Sequence, residues 1–193
     1  MSDTTLLMAH GAGVGHSSLF FEQFSAALCR TLNVQYRPMT FEYMKKMEST
    51  GTKRPPNKLS DLVIEFNTVI EHSGEVIVAG KSMGGRVAAQ CTQHPNVRGV
   101  ICLGFPFYLA GKPEKHRLAF LNNMQCPCLI IQGTRDALGN KAWVSEQALP
   151  QNITVKWIDG ADHDFHVLKS LNRCDQDVMN EMTRIIHNWI QNL

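Results

Sequence analysis

Six short strand-like runs recur along the chain, at Leu6–Ala9, Val34–Pro38, Val76–Ala79, Gly99–Leu103, Cys128–Gln132 and Thr154–Ile158. Most are continuously apolar, as expected of strands covered on both faces, where neither row of side chains meets water. Between them lie stretches that read as helix: Ser18–Leu32, Lys58–His72, Met83–Gln93, Lys115–Asn123, Lys141–Ala148 and Asp175–Gln191. This alternation leaves few topologies open, because parallel neighbours need a crossover, the crossover is right-handed, and its helix must cover the sheet. The expectation is an α/β fold: a mostly parallel six-stranded sheet with helices on both faces. A chain of 193 residues is long enough to bury most of its surface as a single domain spanning 1–193. No repeat or linker interrupts it. The longest stretch without a predicted element, 40–57, carries Gly51 and Pro55-Pro56, and its apolar spacing is too sparse to predict a helix. Loops of that length tend to bind something or to be disordered.

The third run leads into VIVAGKSMGGRVA, residues 76–88, which holds both a Gly-Lys-Ser and a Gly-x-Ser-x-Gly. A phosphate-binding loop would need glycine five positions before Gly80, where Glu75 stands, and the residues between are a strand with no loop character. The second reading fits its context. Gly80-Lys81-Ser82-Met83-Gly84 is entered from an apolar strand and left by a helix-compatible stretch, as a nucleophile elbow requires. Glycines at 80 and 84 relieve the crowding that a side chain would cause in so tight a turn.

A serine hydroxyl is a weak nucleophile at neutral pH and needs a base, with a third group to hold that base in the right tautomer. The partners must come from the same carboxyl edge of the sheet. Asp136 follows the fifth run in Gly-Thr-Arg-Asp, and His163 follows the sixth in Asp-Gly-Ala-Asp-His-Asp-Phe-His. The order Ser82, Asp136, His163 is that of the α/β-hydrolase triad. His166 is the rival base, and His163 is favoured because it lies earlier in the loop. As a metal pair, His163 and His166 lack further ligands. Asp159, Asp162 and Asp164 crowd the histidine but are badly placed to hold its ring from behind. Donors for an oxyanion are expected from the backbone N–H groups of Met83 and of Ala12, in the turn His10-Gly-Ala-Gly13 after the first run, with Gly13 the near alternative to Ala12. His10 would brace that turn. The turn is not a dinucleotide fingerprint, which would demand glycine where His16 stands and an acidic residue near the end of the second run.

A formal net charge of +2, with lysine and arginine scattered, gives no footprint for nucleic acid. No segment approaches the roughly 18–20 apolar residues that span a bilayer, and the start reads as a strand, not a leader. The six cysteines show neither Cys-x-x-Cys nor metal-finger spacing, which fits free thiols and a cytoplasmic setting. Phe105–Tyr108, and Phe41–Met44 with Lys53–Pro56, either shape a substrate pocket or cover the sheet end. Lys81 is expected to point to solvent, with attraction of an anionic substrate as the other reading.

On these residues the sequence resembles the α/β-hydrolase superfamily over nearly its full length. His10–Gly13, Gly80–Arg86, Gly104–Phe107 with Gly111–Glu114, and Gly133–Asp136 resemble the small capless hydrolase-like proteins related to testis-expressed proteins and to a subunit of a histone acetyltransferase complex. Dienelactone-hydrolase-like proteins are a broader relative, typically with cysteine where Ser82 stands. The resemblance implies that the fold's usual first hairpin is missing and that no lid covers the site. The expected function is a serine hydrolase, a carboxylesterase acting on small or medium acyl esters, with no metal or organic cofactor. The alternative is a non-catalytic binding or scaffold protein of the same fold with its triad unused; the sequence itself indicates no protein partner.

Overall fold

The computed structural model describes residues 4–193. Its elements in chain order are β1 (Thr4–Ala9), α1 (Leu19–Thr31), β2 (Val34–Met39), α2 (Glu42–Thr50), α3 (Leu59–Glu71), β3 (Val76–Lys81), α4 (Met83–Ala88), β4 (Val97–Leu103), β5 (Tyr108–Leu109), β6 (Lys112–His116), β7 (Cys128–Gly133), α5 (Lys141–Ser145), β8 (Ile153–Ile158) and α6 (Asp175–Ile190). Six strands form one sheet in the order β2-β1-β3-β4-β7-β8, and every neighbouring pair is parallel. The α/β-hydrolase fold expected from the sequence is present, and among the described residues no lid is evident.

Strand periodicity sorts the core into two layers. Leu7, Val78, Val100, Cys102 and Ile130 face α2, α3 and α4, and meet Tyr43, Leu62, Phe66 and Val87 there. Leu6, Met8, Ile77, Ala79, Ile101, Leu129 and Ile131 face α1 and α6, and meet Phe21, Phe24, Val178 and Met182. Burial on both faces explains the unbroken apolar runs of β1, β3 and β7. The two edge strands, β2 and β8, are the ones whose side chains are only partly covered.

Three elements differ from expectation. The segment 40–57 contains α2, whose Tyr43 and Met44 are buried and whose end is set by Gly51 at φ 67°. The helix expected at Lys115–Asn123 is instead the hairpin strand β6 followed by a 3₁₀ turn at Leu118–Phe120. Gly111, at φ 69°, turns the hairpin, and Arg117 pins it by donating to the carbonyls of Pro106 and Tyr108. The helix after Ser82 stops at Ala88 rather than Gln93, because Gln90 and Cys91 close tighter turns onto Val87 and Ala88. All six cysteines are free; Cys29 and Cys174 are exposed, unlike the other four.

Candidate active site

At the carboxyl end of β3 the chain turns straight into α4, and Ser82 occupies the turn at φ 53°, ψ −111°. A left-handed φ is strained for serine and persists only where the surroundings over-determine it. Here they do. A Cβ on Gly80 would lie 2.1 Å from the Gly84 carbonyl carbon, and one on Gly84 would lie 2.6 Å from the carbonyl oxygens of both Ala9 and His10. The elbow therefore closes on itself only with glycine at 80, and fits against the end of β1 only with glycine at 84.

The loop after β7 brings Asp136 to the same edge. Its carboxylate is fully buried, with Oδ1 accepting from the Leu138 N–H at 2.7 Å and Oδ2 from Gln132 Nε2 at 2.8 Å. The loop after β8 carries His163, whose Nδ1 lies 2.8 Å from Asp136 Oδ2 and whose Nε2 lies 2.9 Å from Ser82 Oγ. Donation from Nδ1 to the carboxylate fixes the tautomer that leaves Nε2 free to accept the serine proton. The two loops are packed to this distance: a Cβ on Gly133 would meet the carbonyl oxygens of Ala161 and Asp162 at 2.4 and 2.6 Å. His166, the rival base, lies against Asp175 instead, at 3.4 Å. Among the described residues no group of three or more histidines, cysteines or carboxylates is placed to hold a metal ion.

The glycine-rich turn after β1 is held from behind. His10 is fully buried; its Nδ1 lies 2.6 Å from the Gly11 carbonyl, and its Nε2 accepts the Phe41 N–H at 3.1 Å. Burial, reinforced by the neighbouring His16, lowers its pKa to about 4, so the ring stays neutral and can serve both contacts. The Tyr43 hydroxyl donates to the Ala12 carbonyl at 3.0 Å and more weakly to that of Gly11. Because a trans peptide points its C=O and N–H in opposite directions, drawing back the Gly11 and Ala12 carbonyls turns the N–H groups of Ala12 and Gly13 away from the brace. The Met83 N–H opens α4, where no intrahelical acceptor is available to it.

A cavity of about 480 Å³ opens beside Ser82. Its walls come from the N-terminal parts of two helices, Leu19 and Phe20 of α1 and Met179 of α6, with Val14 of the glycine turn and Phe165 of the histidine loop. Leu19 and Val14, 66% and 57% exposed, form its rim. The aromatic segments have two readings, shaping the pocket or covering the sheet end, and neither segment lines this cavity. Phe105, Phe107 and Tyr108 are buried with Trp143 over the sheet end, and Phe41 and Tyr43 brace the turn. Lys81, expected in solvent, is also buried. It shares the face of Ile77 and Ala79, and its ammonium meets Asp164 at 2.8 Å.

A family model described as an alpha/beta hydrolase domain matches residues 2–191. The chain belongs to this family. Solved structures similar to it include an esterase from Pyrococcus furiosus at 16% identity and TM-score 0.70, aligned over 99% of this chain and 81% of that one. A dienelactone hydrolase from Anabaena variabilis aligns at 17% identity and TM-score 0.70, over 98% and 86%. Est1E from Butyrivibrio proteoclasticus follows at 15% and 0.64, over 93% and 86%. At such identities the likeness is one of fold. Within the alpha/beta hydrolase frame, Ser82, Asp136 and His163 follow the carboxyl ends of β3, β7 and β8 on one sheet edge, with β4 between the first two. Sequence reasoning missed Gln132, the bracing role of Tyr43 and the α1–α6 groove. A polar residue closing the apolar run of β7 was a signal for the first; nothing local marked the others.

Proposed function

We propose that this alpha/beta hydrolase is a serine hydrolase, a carboxylesterase that cleaves small or medium acyl esters through an acyl-enzyme on Ser82. The observation that carries the reading is the continuous row from Ser82 Oγ through the His163 ring to buried Asp136, with contacts of 2.9 and 2.8 Å, set on a strained elbow. In this mechanism His163 takes the hydroxyl proton as Oγ attacks the carbonyl carbon, and the developing oxyanion is held by the N–H groups of Met83 and Ala12. The imidazolium, stabilised by Asp136, then protonates the leaving alkoxide. Water enters, His163 removes its proton, and the second tetrahedral intermediate collapses to acid and free Ser82. The groove of Leu19, Phe20, Phe165 and Met179 takes the apolar part of the ester. The motifs that resemble those of the small capless proteins related to testis-expressed proteins support kinship with them, and we read the chain as one domain working in the cytoplasm. Among the described residues no helix is long and apolar enough to cross a membrane.

The test is labelling of the purified protein with a fluorophosphonate probe, which reacts only with an activated serine. Wild type is expected to label, and Ser82→Ala and His163→Ala to remain blank. Folded wild type that does not label overturns the reading in favour of a binding or scaffold role.

A further inference from the structure

Lys81 is the last residue of β3 and immediately precedes Ser82. Strand alternation puts it on the α1–α6 face with Ile77 and Ala79, so a charge stands where the pattern calls for an apolar side chain. The side chain is only 10% exposed. Burying an ammonium is costly unless its donors are used. The Lys81 ammonium donates to two neighbouring residues of the histidine loop: Asp164 Oδ1 at 2.8 Å and the backbone carbonyl of His163 itself at 3.3 Å. The Phe20 ring covers it, with the centroid 5.2 Å from Nζ. Its hydrogen bond holds the Asp164 carboxyl below its usual pKa range, so the partner stays charged. An exposed ion pair would contribute little, and the Asp164 side chain is 68% exposed. The bond to a backbone carbonyl has another meaning, since it fixes the main chain from which the imidazole projects.

The loop needs such fixing. It makes one tight turn, in which Asp162 Oδ1 accepts the N–H groups of Asp164 and His166, each at 3.0 Å. Phe165 is held at φ 65° with its ring buried and stacked on Phe20. These contacts shape the loop internally. Lys81 joins it to the elbow, since the same residue continues by a peptide bond into Ser82.

We propose that Lys81 is a positioning residue of the hydrolytic reaction, tying the loop that carries His163 to the elbow that carries Ser82 and thereby setting the distance the proton crosses. The assignment rests on the serine-hydrolase reading above. Misplacement by about 1 Å costs roughly 10²-fold in rate, and that is the scale expected for its loss.

The experiment compares wild type with Lys81→Met, Lys81→Arg, Asp164→Asn and the double variant Lys81→Met/Asp164→Asn. It reads kcat and KM on p-nitrophenyl acyl esters, thermal melting, and the far-downfield proton signal of the His163 N–H bonded to Asp136, identified by its loss in His163→Ala. Lys81→Met is expected to lower kcat about 10²-fold with KM little changed, and to broaden the downfield signal. Asp164→Asn loses less, because the bond to the His163 carbonyl survives. The double variant matches Lys81→Met alone, and Lys81→Arg recovers part of kcat. A raised KM at constant kcat would make Lys81 a substrate-binding group and overturn the proposal. So would additive losses in the double variant, or a kcat loss that only follows the unfolded fraction. Wild type that neither turns over ester nor reacts with the probe overturns the hydrolase reading instead. The downfield signal then decides about Lys81, since its survival unchanged in Lys81→Met shows that the loop is held without it.

Discussion

Replacing Gly84 by alanine separates the two glycine-rich turns by mechanism. The new Cβ would stand 2.6 Å from the carbonyl oxygens of Ala9 and His10, and these contacts must open to the 3.4 Å of ordinary contact. Neither side can yield cheaply. Ala9 ends β1, which is hydrogen-bonded to β2 on one side and β3 on the other, and Gly84 lies in the first turn of α4. Overpacking of this kind costs about 1–3 kcal/mol, and two rigid backbone contacts place Gly84→Ala near 3. For a chain of this length that lowers Tm by roughly 6–12 °C. Because His10 leads directly into the Ala12 turn, the displacement also moves a proposed oxyanion donor, and labelling of Ser82 should slow by about 10²-fold. Gly13→Ala is the control: nothing stands within 4 Å of its added Cβ, and its stability should stay within about 0.5 kcal/mol of wild type. Thermal melts and probe kinetics on both variants check this. A Gly84→Ala protein with wild-type Tm and labelling rate, or a Gly13→Ala protein equally destabilised, would refute the close-approach argument.

Two further outcomes are expected. Asp136→Asn offers His163 Nδ1 an amide that cannot replace the carboxylate, and kcat on ester substrates should fall by about 10⁴, against a small change if Asp136 only fills space. Burial lowers the His10 pKa from 6.5 to about 4 and shifts His16 in the same direction. The unfolded chain therefore binds these protons across that window while the folded one does not, so stability is complete above about pH 6.5 and falls as pH drops toward 4. His10 accounts for up to about 3 kcal/mol of this. Urea unfolding from pH 7 to pH 4 should show the slope, and His10→Gln should remove the larger part of it; an unchanged slope would assign it to other groups.

The layered sheet was legible because burial on both faces leaves an unmistakable apolar run, and the candidate side chains because Ser82 and Asp136 follow such runs and His163 follows the alternating edge strand β8. The hairpin at Tyr108–His116 was not legible: Leu118 and Leu121 suggest a helical stripe, and the fact that overrides it, Arg117 reaching the carbonyls of Pro106 and Tyr108, is tertiary. Helix α2 was hidden for the same reason, since Tyr43 is buried by the turn it braces. Lys81 shows the limit most plainly. A lysine in a loop-like motif reads as solvated, yet counting alternation from Ile77 places it on the inner face, where only the structure supplies Asp164.

The row of Ser82, His163 and Asp136 also carries a consequence for how the chain acquires its shape. Its two contacts join residues 81 and 27 positions apart, and β4 and β7 lie between β3 and β8 in the sheet. The row therefore cannot close until all four strands have been laid side by side, and such distant pairings are the slow ones in folding. Reactivity of Ser82 during refolding should lag behind the recovery of helical signal. A site spread over loops far apart in sequence thus reports on completion: a molecule that reacts has finished folding.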